Sequence, residues 1–244
     1  MQRVSVSTIL SALQQDCASF LRDSSYTPVP IPTHFSEMKG TLRGEDITLN
    51  TRRFLGHHYR SITMAWIVRD SDGSVCSLTL IGLPTQDSGA PILGVDLIGL
   101  GGSLSLVAID LAPTDDATYS ERSMPRLRSL HSMTDDSVVH RKRPEFCQDT
   151  FSPLALICAG KPGHEAQLQS ACATFLSMEL DARKQTSPFV VLPAERADSA
   201  ASKQRAWLLS ERKNRKEAKY MSLMFGEDLA ADYLYNFLFE VPSV

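Results

Sequence analysis

Between residues 60 and 111 the chain passes through four apolar segments separated only by short turns. Residues 60–69 and 74–83 meet across Asp72-Gly73, a hairpin dipeptide, and residues 91–99 and 103–111 meet across Gly101-Gly102. Strands joined this closely pair antiparallel, because a parallel crossover needs about a dozen or more residues. Weaker strand patterns at 38–44 and 46–54 precede them, after an extended, proline-rich stretch from Thr27 to Thr33. Helical periodicity marks residues 5–22, a polar segment from Asp115 or Thr118 to Leu130, and residues 164–184. One long helix is predicted from about Ala194 or Ser202 to Phe225, and a shorter one from Glu227 to Phe239. Residues 134–150 read as a charged loop and 153–159 as a further apolar strand. A sheet in the middle with helices at both ends predicts an α+β fold, a three-layer α/β/α sandwich around a central antiparallel sheet. No long Pro/Gly/Ser linker divides the chain, so residues 1–244 are expected to form a single domain.

One residue breaks the apolar pattern. Asp96 stands in the middle of Pro91-Ile-Leu-Gly-Val-Asp96-Leu-Ile-Gly99. A carboxylate there is costly unless it is paired, solvated or able to hold a proton. Alternation puts Asp96 on one face with Ile92, Gly94 and Ile98, and Gly94 leaves room above the sheet for something flat. A proton donor beneath a bound ligand fits this pattern; so does an acid facing solvent or bonded to a neighbouring loop.

Net charge is −3 with a pI near 6.1, which argues against nucleic-acid binding by bulk charge. No apolar run reaches the roughly 18 residues of a membrane span, and Gln14, Gln15 and Asp16 interrupt the N-terminus too early for a signal peptide. A cytoplasmic protein is expected, or a plastid one whose transit peptide has been removed. Cys17, Cys76, Cys147, Cys158 and Cys172 have no CxxC spacing, and His57-His58 has no ligands in register, so neither disulfides nor a metal site is expected. There is no Walker loop, dinucleotide fingerprint or nucleophile elbow. Basic residues cluster at Lys203–Lys219, at Arg122, Arg126 and Arg128, and at Arg141-Lys142-Arg143. They read equally as a solvated helix face, a patch that steers an acidic partner, or a clamp for ligand carboxylates. Without an exposed edge or a coiled-coil pattern, a monomer is expected.

Several segments together resemble the ferredoxin-dependent bilin reductases: Pro91-Ile-Leu-Gly-Val-Asp96, Val107-Ala-Ile-Asp110-Leu-Ala-Pro113, Phe151-Ser-Pro153, and the ending Phe225-Gly-Glu-Asp … Tyr233-Leu-Tyr-Asn-Phe-Leu-Phe239. The resemblance covers about residue 60 onward. It implies biliverdin IXα or a related linear tetrapyrrole bound between the sheet and the C-terminal helices. It also implies no bound cofactor, with electrons coming one at a time from reduced ferredoxin through radical intermediates, and an acidic ferredoxin docked on the basic patches. By the same resemblance Asp96 falls on the family's catalytic Asp, and Lys216 near a position that contacts a propionate. Substrate contacts are expected from Thr79, Met64, Trp66, Phe151, Ser152, Asn214, Arg215 and Lys216.

Three departures shape the functional expectation. Thr79 stands where the phycocyanobilin-forming branch has a His, and Met64-Ala65-Trp66 offers no acid where that branch has a Glu. Arg215, with Asn214 beside it, stands where A-ring reducers carry an Asp on the C-terminal helix; a shift of one helical turn would bring Glu211 into play instead, and A-ring chemistry with it. With Asp96 left and these donors missing, the limited reduction of biliverdin to 15,16-dihydrobiliverdin is the expected chemistry, with phycoerythrobilin as the further product. The other readings are a bilin carrier without turnover and a reductase of an open-chain chlorophyll catabolite.

Overall fold

The computed structural model describes residues 5–23, 26–100, 102–182 and 191–242. Among these residues, strands β1 (Thr27–Val29), β2 (Glu37–Leu42), β3 (Glu45–Gly56), β4 (Tyr59–Arg69), β5 (Val75–Pro84), β6 (Ile92–Leu100), β7 (Ser103–Ala112), β8 (Val138–His140) and β9 (Leu156–Gly160) form one sheet. Its order is β1-β3-β4-β5-β6-β7-β9-β8, with β2 also paired to β3, and the paired neighbours run antiparallel. The predicted meander is therefore present. Gly73 holds a positive φ of 67° in the Asp72-Gly73 turn, as a tight hairpin requires. Gly101 lies outside the described residues.

Helices cover both faces. α1 (Val6–Asp23), α4 (Met124–Thr134) and α5 (Glu165–Ala182) lie on one, where Ile9, Leu13, Leu127 and Phe175 meet Met64, Leu78, Leu80, Val95 and Leu97. α2 (Thr33–Ser36) and the helices α6 (Ala194–Glu211), α7 (Arg215–Phe225) and α8 (Glu227–Asp232) lie on the other. There Trp207, Met221, Met224, Phe225 and Tyr233 meet Ala65, Ile67, Ile81, Leu83 and Ile92. The short α3 (Asp116–Thr118) leads through a π-helical turn into α4, within the predicted segment. The result is the expected α/β/α sandwich with an antiparallel centre.

Three differences from the sequence reading matter. The segment 134–150 is not wholly loop: it contributes β8, which pairs with β9 at the sheet edge, and a 3-10 turn at Glu145–Cys147. Residues 233–238 after α8 form a π-helical turn. The long helix predicted to reach Phe225 is two. It stops at Glu211, and α7 restarts at Arg215 with Asn214 as its N-cap. The Asn214 side-chain oxygen accepts the Glu217 N–H at 3.3 Å, which gives the backbone a local alternative to continuing the helix.

α7 lies directly on β2. A Cβ built on Gly40 would come within 2.2 Å of the Met224 carbonyl oxygen and 2.6 Å of the Phe225 ring. The Met224 atom is backbone and cannot swing aside. Replacing Gly40 with Ala should therefore lift α7 from the sheet and lower stability by about 1–3 kcal/mol, an overpacking cost. Chemical denaturation of Gly40→Ala beside the parent protein measures this.

Candidate active site

Register carries the site across the sheet. Thr51 pairs with Ala65, Ala65 with Thr79, Thr79 with Asp96, and Asp96 with Ala108. Directly opposed residues share a face, so this row forms a floor of small side chains interrupted by one carboxyl. In the next row Ile81 pairs with Gly94 and Gly94 with Asp110, which places a second carboxyl beside the first. A Cβ on Gly94 would lie 3.7 Å from the Trp207 ring, so α6 lies over this part of the floor. Phe151 is half-buried and stacks against Trp207, with ring centroids 6.3 Å apart and planes 17° apart. At the far end of the row, the Tyr233 hydroxyl meets Thr51 Oγ1 at 2.9 Å.

Thr79 Oγ1 donates to Asp96 Oδ1 at 3.0 Å. Burial pushes the Asp96 carboxyl up to about 6, against the opposing pull of the Thr79 hydroxyl. Asp110 is also raised by burial to about 6, although it accepts the Ser152 N–H at 2.9 Å and the Ser152 hydroxyl. Two further acids come from the helix layer. Glu217 is pushed up to about 8 by burial and then by the Asp96 charge, while Asn214, whose side-chain N–H donates to Glu217 Oε2 at 3.1 Å, opposes the shift. Burial raises Glu211 well above the ordinary carboxylate range, with Glu217, Asp96 and Asp110 adding to the effect. Four carboxyls thus share one space between the sheet and α6–α7, and among the described residues none of them forms an ion pair.

The expected contact residues separate into groups. Thr79, Phe151 and Asn214 gather at this space with Asp96. Met64 and Trp66 do not: they belong to the opposite face, Met64 fully buried against the α1–α5 layer and Trp66 packed on the same core with Arg52 over its ring. Alternation along β4 gives the site Ala65 instead. Ser152 is fully buried and holds Asp110, so it positions a carboxyl and presents no surface to a ligand. Arg215 and Lys216 are exposed on the first turn of α7. Lys216 lines a surface depression of about 530 Å³ with Lys142, Arg143, Pro144, Glu145 and Gln148, and Arg143 also donates to the Ser152 carbonyl behind Asp110.

Glu217, which sequence reasoning missed, had a legible signal, and so had Glu211, which it reached only as a shift of helix register. Glu217 heads the inward stripe of α7 with Met221 and Met224, and Glu211 continues that of α6 with Trp207 and Leu208. Asn214-x-x-Glu217 is also a capping-box spacing. The group with metal-ligand spacing among the described residues is elsewhere: His131, Asp135 and His140, with Asp135 and His140 exposed, where α4 meets the β8 edge. Among the described residues no helix is long and apolar enough to cross a membrane.

The buried acids tie stability to pH. Asp96 and Glu217 bind their protons more tightly folded than unfolded, so the folded state gains relative stability at low pH and loses it as pH rises from about 4 to about 8. The loss should be on the order of a few kcal/mol across that window, and an Asp96→Asn, Glu217→Gln double variant should flatten it. Urea denaturation at pH 5, 6.5 and 8 measures both slopes.

The match to known proteins agrees with this architecture. The chain is 24% identical over 214 residues to the phycocyanobilin:ferredoxin oxidoreductase of Synechococcus sp. (strain ATCC 27144 / PCC 6301), covering 87% of this chain and 84% of that protein. It is 20% identical over 220 residues to the enzyme of the same name from Trichodesmium erythraeum (strain IMS101), covering 88% and 86%. Its fold matches tomato phytochromobilin synthase, solved in complex with biliverdin, with a TM-score of 0.69 at 17% identity over 96% of this chain and 85% of that one. The sequence profile described as ferredoxin-dependent bilin reductase matches residues 12–240, and the chain belongs to that family.

Proposed function

We propose that this protein uses electrons from reduced ferredoxin to reduce biliverdin IXα to a phytobilin, and that the product is 15,16-dihydrobiliverdin. The observation that carries the reading is Asp96. It lies on a floor of small residues, hydrogen-bonded to Thr79 and held near a pKa of about 6 by burial. A flat conjugated ligand would lie on that floor beside the Trp207 ring, which already covers Gly94. Its pyrrole N–H groups supply further hydrogen-bond donors to carboxyls that no described cation pairs with. A bound ligand also displaces water, which strengthens the hold of Asp96 on its proton until electron transfer makes the bilin basic enough to take it.

The charged surroundings fit the substrate and the donor. Lys142, Arg143 and Lys216 bring three cations to one depression beside the Asp110–Ser152 pair, where two propionates would be met in water-exposed surroundings. Lys213, Arg215, Lys216 and Lys219 are exposed near the start of α7, a positive surface suited to an acidic ferredoxin. Thr79 carries no titratable proton, so the sheet supplies one catalytic acid through Asp96. That is the support for a limited reduction.

Anaerobic incubation with biliverdin, reduced ferredoxin and product chromatography tests the reading. Asp96→Asn should bind biliverdin about as tightly as the parent and lose about 100-fold or more in turnover, the scale of a removed general acid. Parent activity should fall as pH rises past about 6, where Asp96 gives up its proton. A phycocyanobilin product would sink the assignment of the product, and an unreduced but bound biliverdin would identify a carrier.

A further inference from the structure

We propose that Glu217 is a second catalytic acid, facing the substrate from the helix wall while Asp96 faces it from the sheet, each delivering one of the two protons that reduction of a double bond requires. The inference rests on the reading above and adds a residue to it. Reducing C15=C16 consumes two electrons, one from each of two reduced ferredoxins, and two protons. The π bond is lost, one C–H bond forms at C15 and one at C16, and two carboxyls become carboxylates that solvent then reprotonates. Asp96 can supply one proton in a turnover. Thr79, its neighbour on the floor, supplies none.

Glu217 has the placement for the other. It lies on the inward stripe of α7 with Met221 and Met224, and α7 is held down on the sheet by the close approach of Met224 and Phe225 to Gly40. The carboxyl is fixed at one oxygen by the Asn214 side-chain N–H, 3.1 Å away. The titratable groups around it are Asp96 from β6, Tyr233 from the turn after α8, and Glu211 from α6; Asp110 from β7 is joined to them through Glu211. Asp96 in its charged form makes Glu217 hold its proton harder, so the first donor, once spent, leaves the second loaded. Glu211 continues the buried stripe of α6 and is raised by the same neighbours.

A capping role alone is the competing account, and one substitution separates the two. Gln at the third position of a helix caps as Glu does but carries no acidic proton. Glu217→Gln should therefore not lower the melting temperature, and should bind biliverdin within about twofold of the parent. Under anaerobic single turnover with reduced ferredoxin it should accumulate an organic radical, seen by electron paramagnetic resonance, and form the two-electron product about 100-fold more slowly. In the parent protein, which needs no variant to fold, decay of the same radical should slow as pH rises from 7 to 9 through the range of Glu217. Unimpaired product formation by Glu217→Gln, or radical decay in the parent that ignores pH, overturns the role of Glu217 and leaves the bilin reductase reading standing. A parent protein that leaves biliverdin unreduced overturns both.

Discussion

Gathering Asp96, Asp110, Glu211 and Glu217 in one space, Asp110 and Glu211 buried and Asp96 and Glu217 partly so, costs free energy that ionised groups recover only through partners, and no described cation pairs with any of them. The structure meets this cost unevenly. Asp110 is enclosed by two donors from Ser152 and serves as an anchor between β7 and the segment after Phe151. Asp96 has one neutral donor, Thr79, so its charge is tolerated only in part. The two glutamates meet it by keeping their protons. A site of this kind is poised to give protons away, and the floor, the helix break and the basic rim can each be understood by how they serve that condition.

The helix break is the feature on which the placement of the second pair depends. Were residues 194–225 one continuous helix, Glu211 and Glu217 would lie six residues apart, about 120° apart around the axis, and would not share one face toward the sheet. Ending α6 at Glu211 and restarting α7 behind an Asn214 cap lets both glutamates lie on inward stripes. The same break sets the exposed residues. Arg215 and Lys216 occupy the first turn of α7 and are exposed to solvent.

Much of this was legible before any coordinates. Turn chemistry and alternation fixed the meander, and an acid inside an apolar strand singled out Asp96 together with Gly94. The losses trace to two causes. Treating residues 64–66 as one region ignores that a strand alternates faces: Met64 and Trp66 pack on the opposite layer and Ala65 faces the site. A single helical period from Ala194 or Ser202 to Phe225 hides the Asn214-x-x-Glu217 cap and with it the second acidic wall. Ser152 illustrates a further limit: its position beside Phe151 was readable, but that its hydroxyl and N–H are spent on Asp110, a residue 42 positions earlier, is a tertiary fact.

A threonine beside Asp96, at position 79, has a physical meaning in this setting. A hydroxyl donating to Asp96 stabilises the carboxylate and so holds the acid near 6 rather than letting burial drive it higher. An imidazole there would bring its own proton and, once charged, would pull Asp96 down further. Threonine therefore adds no proton of its own beside Asp96, and the other acid of the sheet, Asp110, is engaged by Ser152. In the mechanism proposed above, the second proton then comes from the helix wall, so that Asp96 and Glu217 serve a flat substrate from opposite faces.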